Sequence, residues 1–122
     1  MSIPTVYKIA DHYKGDTFDG IEFEISNIVD DNPDNDTPID ITVCTAIKIQ
    51  FRKNSPTGDV VKELNISSGL SIIPLNTLKV LPFIIDWDEG KYYYDSEFTF
   101  SPTVKKTYVK GTINIIQDVT NG

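Results

Sequence analysis

The chain has 122 residues, a length that fits one domain, and its composition is that of a globular protein and not of a disordered segment. Its 18 acidic and 11 basic side chains give a formal net charge of −7, which disfavours nucleic acid and anionic membranes as partners. A single cysteine excludes an intrachain disulfide, and the N-terminal residues show no signal-peptide pattern. We therefore predict one domain over residues 1–122, made and folded in a reducing cytoplasm.

Apolar and polar residues alternate with a period of two along the first half of the chain, which predicts β-strands. The alternation is clean at 20–25, where Ile21, Phe23 and Ile25 are expected in the core and the two glutamates between them in water. The other strands predicted in this half occupy 6–12, 46–52 and 59–64, with a short edge segment at 39–41.

The second half continues the same pattern. Residues 80–85 are apolar on both faces and are predicted deep in the fold, with Pro82 making the strand irregular or an edge. The remaining strands are predicted at 70–73, 91–100 and 107–116. About seven to eight short strands, with turn signals every 8–12 residues, predict an all-β protein with an immunoglobulin-like antiparallel β-sandwich.

A short motif supports that fold class. Asp88, Gly90 and Tyr92 match the D-x-G-x-Y pattern found where immunoglobulin-like domains turn into their central strand F. The glycine permits the tight corner, and the tyrosine hydroxyl returns to the backbone upstream. Tyr94 stands where many such domains carry a cysteine. The three motif residues are therefore interpreted as a structural corner.

Four side chains are candidates for contact with a partner. Ile39 and Ile41 lie on the predicted edge segment, where unpaired backbone groups can accept a neighbouring strand, as can the tail after Ile116. Tyr93 is expected on the solvent face of the long strand, among acids, whereas the alternate aromatic residues of that strand face the core. Trp87 is either exposed beside its turn or a half-buried plug.

The loop Asp30–Asp36 is the one candidate metal site in the sequence. Asp30, Asn32 and Asp34 reproduce the opening of a calcium-binding loop, but an asparagine replaces its glycine and Ile41 stands where a bidentate glutamate belongs. A solvated acidic loop is the favoured interpretation, and calcium remains open. We expect no bound metal and no cofactor.

The sequence offers little for catalysis. His12 stands alone in a predicted strand, and Cys44 has no histidine near it in sequence. The glycine-rich phosphate loops and nucleophile motifs that mark common enzyme classes are missing from the sequence. We therefore expect no catalytic residues and no enzyme activity.

The order of several segments resembles a known group of domains. It consists of Lys-Gly-Asp-Thr-Phe at 14–18, Gly-Ile-Glu-Phe at 20–23, Ala-Ile-Lys-Ile-Gln-Phe-Arg at 46–52, Gly-Lys-Tyr-Tyr-Tyr-Asp at 90–95, and Gly-Thr-Ile-Asn-Ile at 111–115 followed by Asp-Val-Thr at 118–120. This order resembles the small immunoglobulin-like domains of tailed-bacteriophage virion proteins, such as the N-terminal domain of baseplate upper proteins and head decoration proteins. The resemblance implies a structural component of the virion, made in the host cytoplasm.

The resemblance leaves the position on the particle open. A domain without following modules suits a head auxiliary protein bound to the capsid in many copies, and its partners would be other virion proteins. A tail, baseplate or fibre-adaptor component is the first alternative. A module that binds carbohydrate or a host surface, with calcium assistance, is the second, and exposed loop aromatics such as Trp87 would favour it.

Overall fold

The computed structural model describes residues 5–27 and 37–117. Over these residues the chain forms short and long strands and one short 3-10 helix, Ile41–Val43. The strands are β1 (Thr5–Lys8), β2 (His12–Tyr13), β3 (Thr17–Phe18), β4 (Ile21–Glu24), β5 (Ser26–Asn27), β6 (Thr37–Pro38), β7 (Ala46–Lys53), β8 (Val60–Asn65), β9 (Leu70–Ile73), β10 (Thr77–Val80), β11 (Phe83–Ile84), β12 (Gly90–Ser101), β13 (Val104–Lys106) and β14 (Val109–Ile116). No helix in the described ranges is long and apolar enough to cross a membrane.

The larger sheet has the order β1-β14-β12-β7-β8, with β2 also paired to β14 and β13 to β12. The strands of this sheet pair antiparallel, except that β1 and β2 run parallel to β14. Alternation fixes which side faces inward: Ile47, Ile49 and Phe51 of β7 are buried, and the residues between them are partly exposed. The same alternation along β12 and β14 gives this sheet one apolar and one polar face.

The smaller sheet has the order β4-β10-β9 and is antiparallel, and the two-stranded pairs β3–β11 and β5–β6 complete the described strands. The larger sheet, with the path β1-β14-β12-β7-β8, and the three-stranded sheet form the two layers of an immunoglobulin-like arrangement. The protein is therefore an all-β, immunoglobulin-like sandwich.

The core lies between the two sheets. Its fully buried members include Phe98, Ile113 and Leu78, which come from β12, β14 and β10. Ser96 is the buried polar side chain within the described ranges; its hydroxyl donates to the Val109 carbonyl at 3.0 Å and accepts from the Val109 amide at 3.1 Å. The burial of this hydroxyl therefore leaves no unpaired polar group at that point.

The alternating segments formed the predicted strands. The predictions at 20–25, 46–52, 70–73 and 91–100 are confirmed by β4, β7, β9 and β12, with the expected residues inward. The segment at 6–12 is instead two short strands, because the chain leaves the sheet after Lys8 and returns at His12.

The prediction that residues 80–85 lie deep as one strand was wrong, although Val80 and Ile85 are buried and the irregularity predicted at Pro82 is present. β10 ends at Val80, Pro82 interrupts the pairing, and β11 then pairs with β3. Leu81 and Ile84 are 37% and 64% exposed. Proline cannot donate a ladder hydrogen bond, so the apolar run divides between two sheets instead of crossing one core.

The predicted edge segment at 39–41 was also wrong. Ile41 is 0% exposed and begins the 3-10 helix, which the Asp40 carboxylate caps by accepting from the Thr42 amide. Ile39 is partly buried against the core, and the nearby strand is β6. The apolar side chain of Ile41 packs in the core, so the prediction that it contacts a partner was wrong. The acidic loop at Asp30–Asp36 and the tail from 118 lie outside the described residues.

Candidate functional site

The outer face of the larger sheet carries an open groove of about 250 Å³. Its apolar walls come from Val6 on β1, Pro56 in the β7–β8 loop and the ring of Tyr93 on β12. Its charged walls come from Arg52 on β7 and Lys110 on β14, beside Gln50 and Thr112 of the same strands, and Asp95 of β12 lies between the walls. A concave apolar surface with a few converging polar groups is the usual form of a binding site.

Sheet register explains why these side chains meet. Tyr93 pairs with Arg52 on one side and Thr112 on the other, while Asp95 pairs with Gln50 and Lys110. Residues that pair across strands point to the same face. Two adjacent rows of outward side chains therefore line the groove, and β1 closes it because Val6 pairs with Lys110.

Arg52 is held in place by a chain of hydrogen bonds. Its Nη1 donates to the Gly58 carbonyl and its Nη2 to Gln50 Oε1, both at 2.8 Å. The Gln50 amide nitrogen in turn donates to Glu63 Oε1 at 2.8 Å. A guanidinium has five donors, so this fixing leaves donors for another acceptor. The arginine is thus preorganised, and its direct partners are neutral.

Tyr93 occupies the solvent face, as the alternation predicted. It is partly exposed, and the Lys91 ammonium lies 5.1 Å from its ring centroid. A cation over an aromatic face is attracted to the ring electrons, which orders both groups. Tyr93 therefore remains a candidate interface residue. Sequence reasoning missed Arg52 and Lys110, although their outward positions follow from the same alternation.

The predicted corner is present, and its tyrosine makes the expected hydrogen bond to the backbone. Tyr92 is 1% exposed, and its hydroxyl donates to the Asp88 carbonyl at 2.6 Å. Gly90 has φ +145°, a conformation that side chains with a Cβ rarely adopt. The hydrogen bond and charge of Lys14, with the charge of Lys53, hold the pKa of the Asp88 carboxyl below its usual value. These residues shape the fold and lie on the opposite side of the sheet from the groove.

Trp87 is a packed residue. It is partly buried, with ring centroids 5.0 Å from Tyr92 and 5.2 Å from Phe51. The second of the two sequence interpretations, a half-buried plug, therefore describes its position. Trp87 is therefore not an exposed loop aromatic of the kind that would favour a carbohydrate-binding surface.

His12 and Cys44 each have their own local surroundings. His12 Nε2 is 2.9 Å from the Asp16 carbonyl oxygen, and burial raises the pKa of the Cys44 thiol. A raised thiol pKa lowers the population of the nucleophilic thiolate. Within residues 5–27 and 37–117, no three His, Cys, Asp or Glu side chains form a group that could hold a metal ion.

The described features define an immunoglobulin-like domain with a groove on its larger sheet. Comparison with solved structures finds extracellular domains 3–5 of Drosophila OTK, at 13% identity and a TM-score of 0.35, covering 96% of this chain and 34% of that one. It also finds the V domain of amphioxus IgVJ-C2, at 14% identity and a TM-score of 0.32, covering 88% and 99%. The chain thus spans about a third of the OTK structure.

No protein-family model and no curated protein sequence matches the chain. The structural likenesses are too distant to carry an argument about function. The fold assignment accordingly rests on the strand order and on the parallel pairing of β1 with β14.

Proposed function

We propose that this protein is a non-catalytic binding module that docks on another protein through the outer face of its larger sheet. The observation that carries the proposal is the groove, in which a fixed arginine and a lysine flank the partly exposed Tyr93. Tyrosine and arginine are the residue types that most often dominate protein interfaces. Both are held by the scaffold, so little side-chain entropy is lost on docking.

The partner surface is proposed to belong to a bacteriophage particle, and the protein to be a head auxiliary protein on the capsid. The support is the ordered set of segments that resembles virion domains, spread over 14–120. A repetitive shell would hold many copies, and avidity would strengthen modest contacts at each one. A tail, baseplate or fibre-adaptor position is the alternative within the same class.

Mass spectrometry of purified particles tests this assignment. We expect the protein in the particles at a stoichiometry near that of the major shell protein for a capsid position, and at a few copies for a tail position. Particles that lack the protein should show altered shell stability or lose another attached component, with every enzymatic step of infection intact. A protein that stays in the infected-cell extract and never appears in purified particles would contradict the assignment.

A further inference from the structure

Charge is distributed unevenly between the strands of this acidic protein. The seven strands of the larger sheet carry nine of the eleven basic residues but only three of the eighteen acids. The basic residues are Lys8, Lys48, Arg52, Lys53, Lys62, Lys91, Lys105, Lys106 and Lys110, and the acids are Glu63, Asp95 and Glu97. The register places all three acids on the outer face of this sheet, together with six of the nine basic residues, because Lys53, Lys62 and Lys106 are paired with inward-facing residues. The outer face therefore carries an excess of positive charge in a molecule whose net charge is −7. A local field of opposite sign favours an anionic partner at this face.

The two basic groups of the groove take part in no ion pair among the described residues. The ion pairs among the described residues join Lys14 and Lys53 to Asp88, and Lys48 and Lys105 to Glu97; none includes Arg52 or Lys110. Arg52 contacts a carbonyl and an amide, which leave its charge unneutralised. Asp95 is the single acid among the groove residues, and it lies opposite Lys110 in the register, whereas Arg52 lies opposite Tyr93.

We infer that the groove recognises a carboxylate-bearing segment of the partner protein, with an apolar side chain beside the carboxylate. The carboxylate would accept from the free donors of Arg52, a geometry that guanidinium and carboxylate groups share. Lys110 would add a second positive charge from the opposite wall. The neighbouring side chain would lie against Val6, Pro56 and the ring of Tyr93. This inference rests on the proposed docking function and names the chemistry of its partner.

The shape of the groove favours a peptide segment as occupant. It is open and extends across β7, β12, β14 and β1, so an extended chain can lie along it with one acidic side chain turned inward. A partner of basic character would meet Arg52 and Lys110 without compensation, and like charges at a docking surface are unfavourable.

A pair of synthetic peptides tests the chemistry on the intact protein. The probe is an acetylated, amidated pentapeptide with a phenylalanine followed by two glutamates between glycines, and its control replaces both glutamates by glutamines. We expect the acidic peptide, titrated to millimolar concentration, to shift the backbone amide resonances of β7, β12 and β14 near the groove, and the glutamine peptide to shift them far less. Equal shifts from both peptides, or none from either, would overturn the inference.

Three substitutions distinguish binding in the groove from general electrostatic attraction of the acidic peptide. Arg52→Gln is expected to weaken binding of the acidic peptide about tenfold, the loss that one charge-assisted contact represents. Lys110→Gln, an exposed substitution that leaves the fold intact, should weaken it about threefold, since it removes charge but no bidentate contact. Lys106→Gln removes the same charge from an exposed site on β13 and should leave affinity unchanged. Equal losses from all three would show non-specific attraction and overturn the inference.

Incorporation of wild-type and variant protein into particles tests the groove separately from the particle assignment. If wild-type protein is found in particles and the Arg52→Gln and Lys110→Gln double variant is not, with an unchanged melting temperature, the groove is the docking site. If the double variant is incorporated normally, the inference is wrong although the particle assignment stands. If wild-type protein is missing from particles, the assignment fails, and the peptide titration alone decides the chemistry of the groove.

Discussion

Of the three consecutive tyrosines of β12, two lie on the buried face of the larger sheet and one lies on its outer face. Tyr92 and Tyr94 are 1% and 4% exposed, and their hydroxyls donate to the carbonyls of Asp88 and Tyr7, each at 2.6 Å. Tyr93 points to the opposite face, borders the groove and lies beneath Lys91. The same side chain thus fixes the fold at two positions and faces solvent at the third.

The hydroxyls on the two faces have different roles. On the inner face, a phenol buries a large ring only if its hydroxyl finds a partner, and both partners here are backbone carbonyls. Each hydrogen bond therefore ties a separate segment to β12: Tyr92 ties the turn before it, and Tyr94 ties the first strand. On the outer face the ring can offer its area and its hydroxyl to a partner.

Gly111→Ala should cause the largest loss of stability on the inner side of β12. A Cβ at this position would lie 1.8 Å from the Tyr7 carbonyl oxygen and 3.0 Å from the Tyr94 hydroxyl, so β1 would have to move away from β14. We expect a loss of about 1–3 kcal/mol in the free energy of unfolding, measured by urea denaturation. Lys110→Ala, the neighbouring exposed position, serves as the control and should stay within about 0.5 kcal/mol. A glycine variant no less stable than this control would show that the close approach is not required.

Alkaline pH should weaken the fold through the same inner tyrosines. Burial raises the pKa of the Tyr94 and Tyr92 hydroxyls above the ordinary value of 10.0, with a smaller contribution to Tyr92 from the charge of Asp88. Above pH 10 the unfolded chain loses these protons while the folded chain retains them, so stability is fully present below pH 10 and falls as the pH rises.

The free energy of unfolding can fall by about 1.4 kcal/mol per pH unit for each tyrosine. Urea unfolding between about pH 9 and pH 11 checks it, and Tyr94→Phe should show a shallower decline because it has one such proton fewer. A decline of the same slope in Tyr94→Phe would assign the alkaline loss to other groups, such as the lysines.

Replacing each tyrosine by phenylalanine should give the smallest effects and the sharpest contrast. Tyr92→Phe and Tyr94→Phe remove one hydrogen bond each and should cost about 0.5–1.5 kcal/mol. Tyr93→Phe should leave stability within about 0.5 kcal/mol, because no inner contact is lost. Thermal or urea unfolding of the three variants measures the contrast. Comparable losses at all three positions would mean that the outer hydroxyl also has a structural role.

Sequence periodicity predicted the sandwich because its longest strands alternate strictly. β7 and β12 each bury one face only, so their inward residues could be named in advance, and the corner at Gly90 carried its own motif. The same alternation also indicated the outward position of Arg52, since it follows the inward Phe51 in a strand of period two.

The errors arose where apolar residues do not alternate. Pro82 indicated an irregular strand at 80–85, but the apolar residues around it do not show that the two halves pair with different strands. Ile41 is equally compatible with an edge strand and with a buried helical turn. Depth of burial at such points depends on contacts with distant segments. The groove itself was beyond prediction for a related reason: it needs the register of four strands, which no single segment encodes.

The parallel pairing of β1 with β14 has a mechanical consequence. Thr5 lies beside Val109, and Ile116 lies beside Tyr13, so the first and last described strands enter and leave at opposite ends of the sandwich. A pulling force applied between these ends would act along the two strands in opposite directions and load the β1–β14 hydrogen bonds together, in shear. Bonds loaded together resist more than bonds opened one at a time. The Tyr94 hydroxyl, bonded to the Tyr7 carbonyl, adds a side-chain crosslink to the same patch.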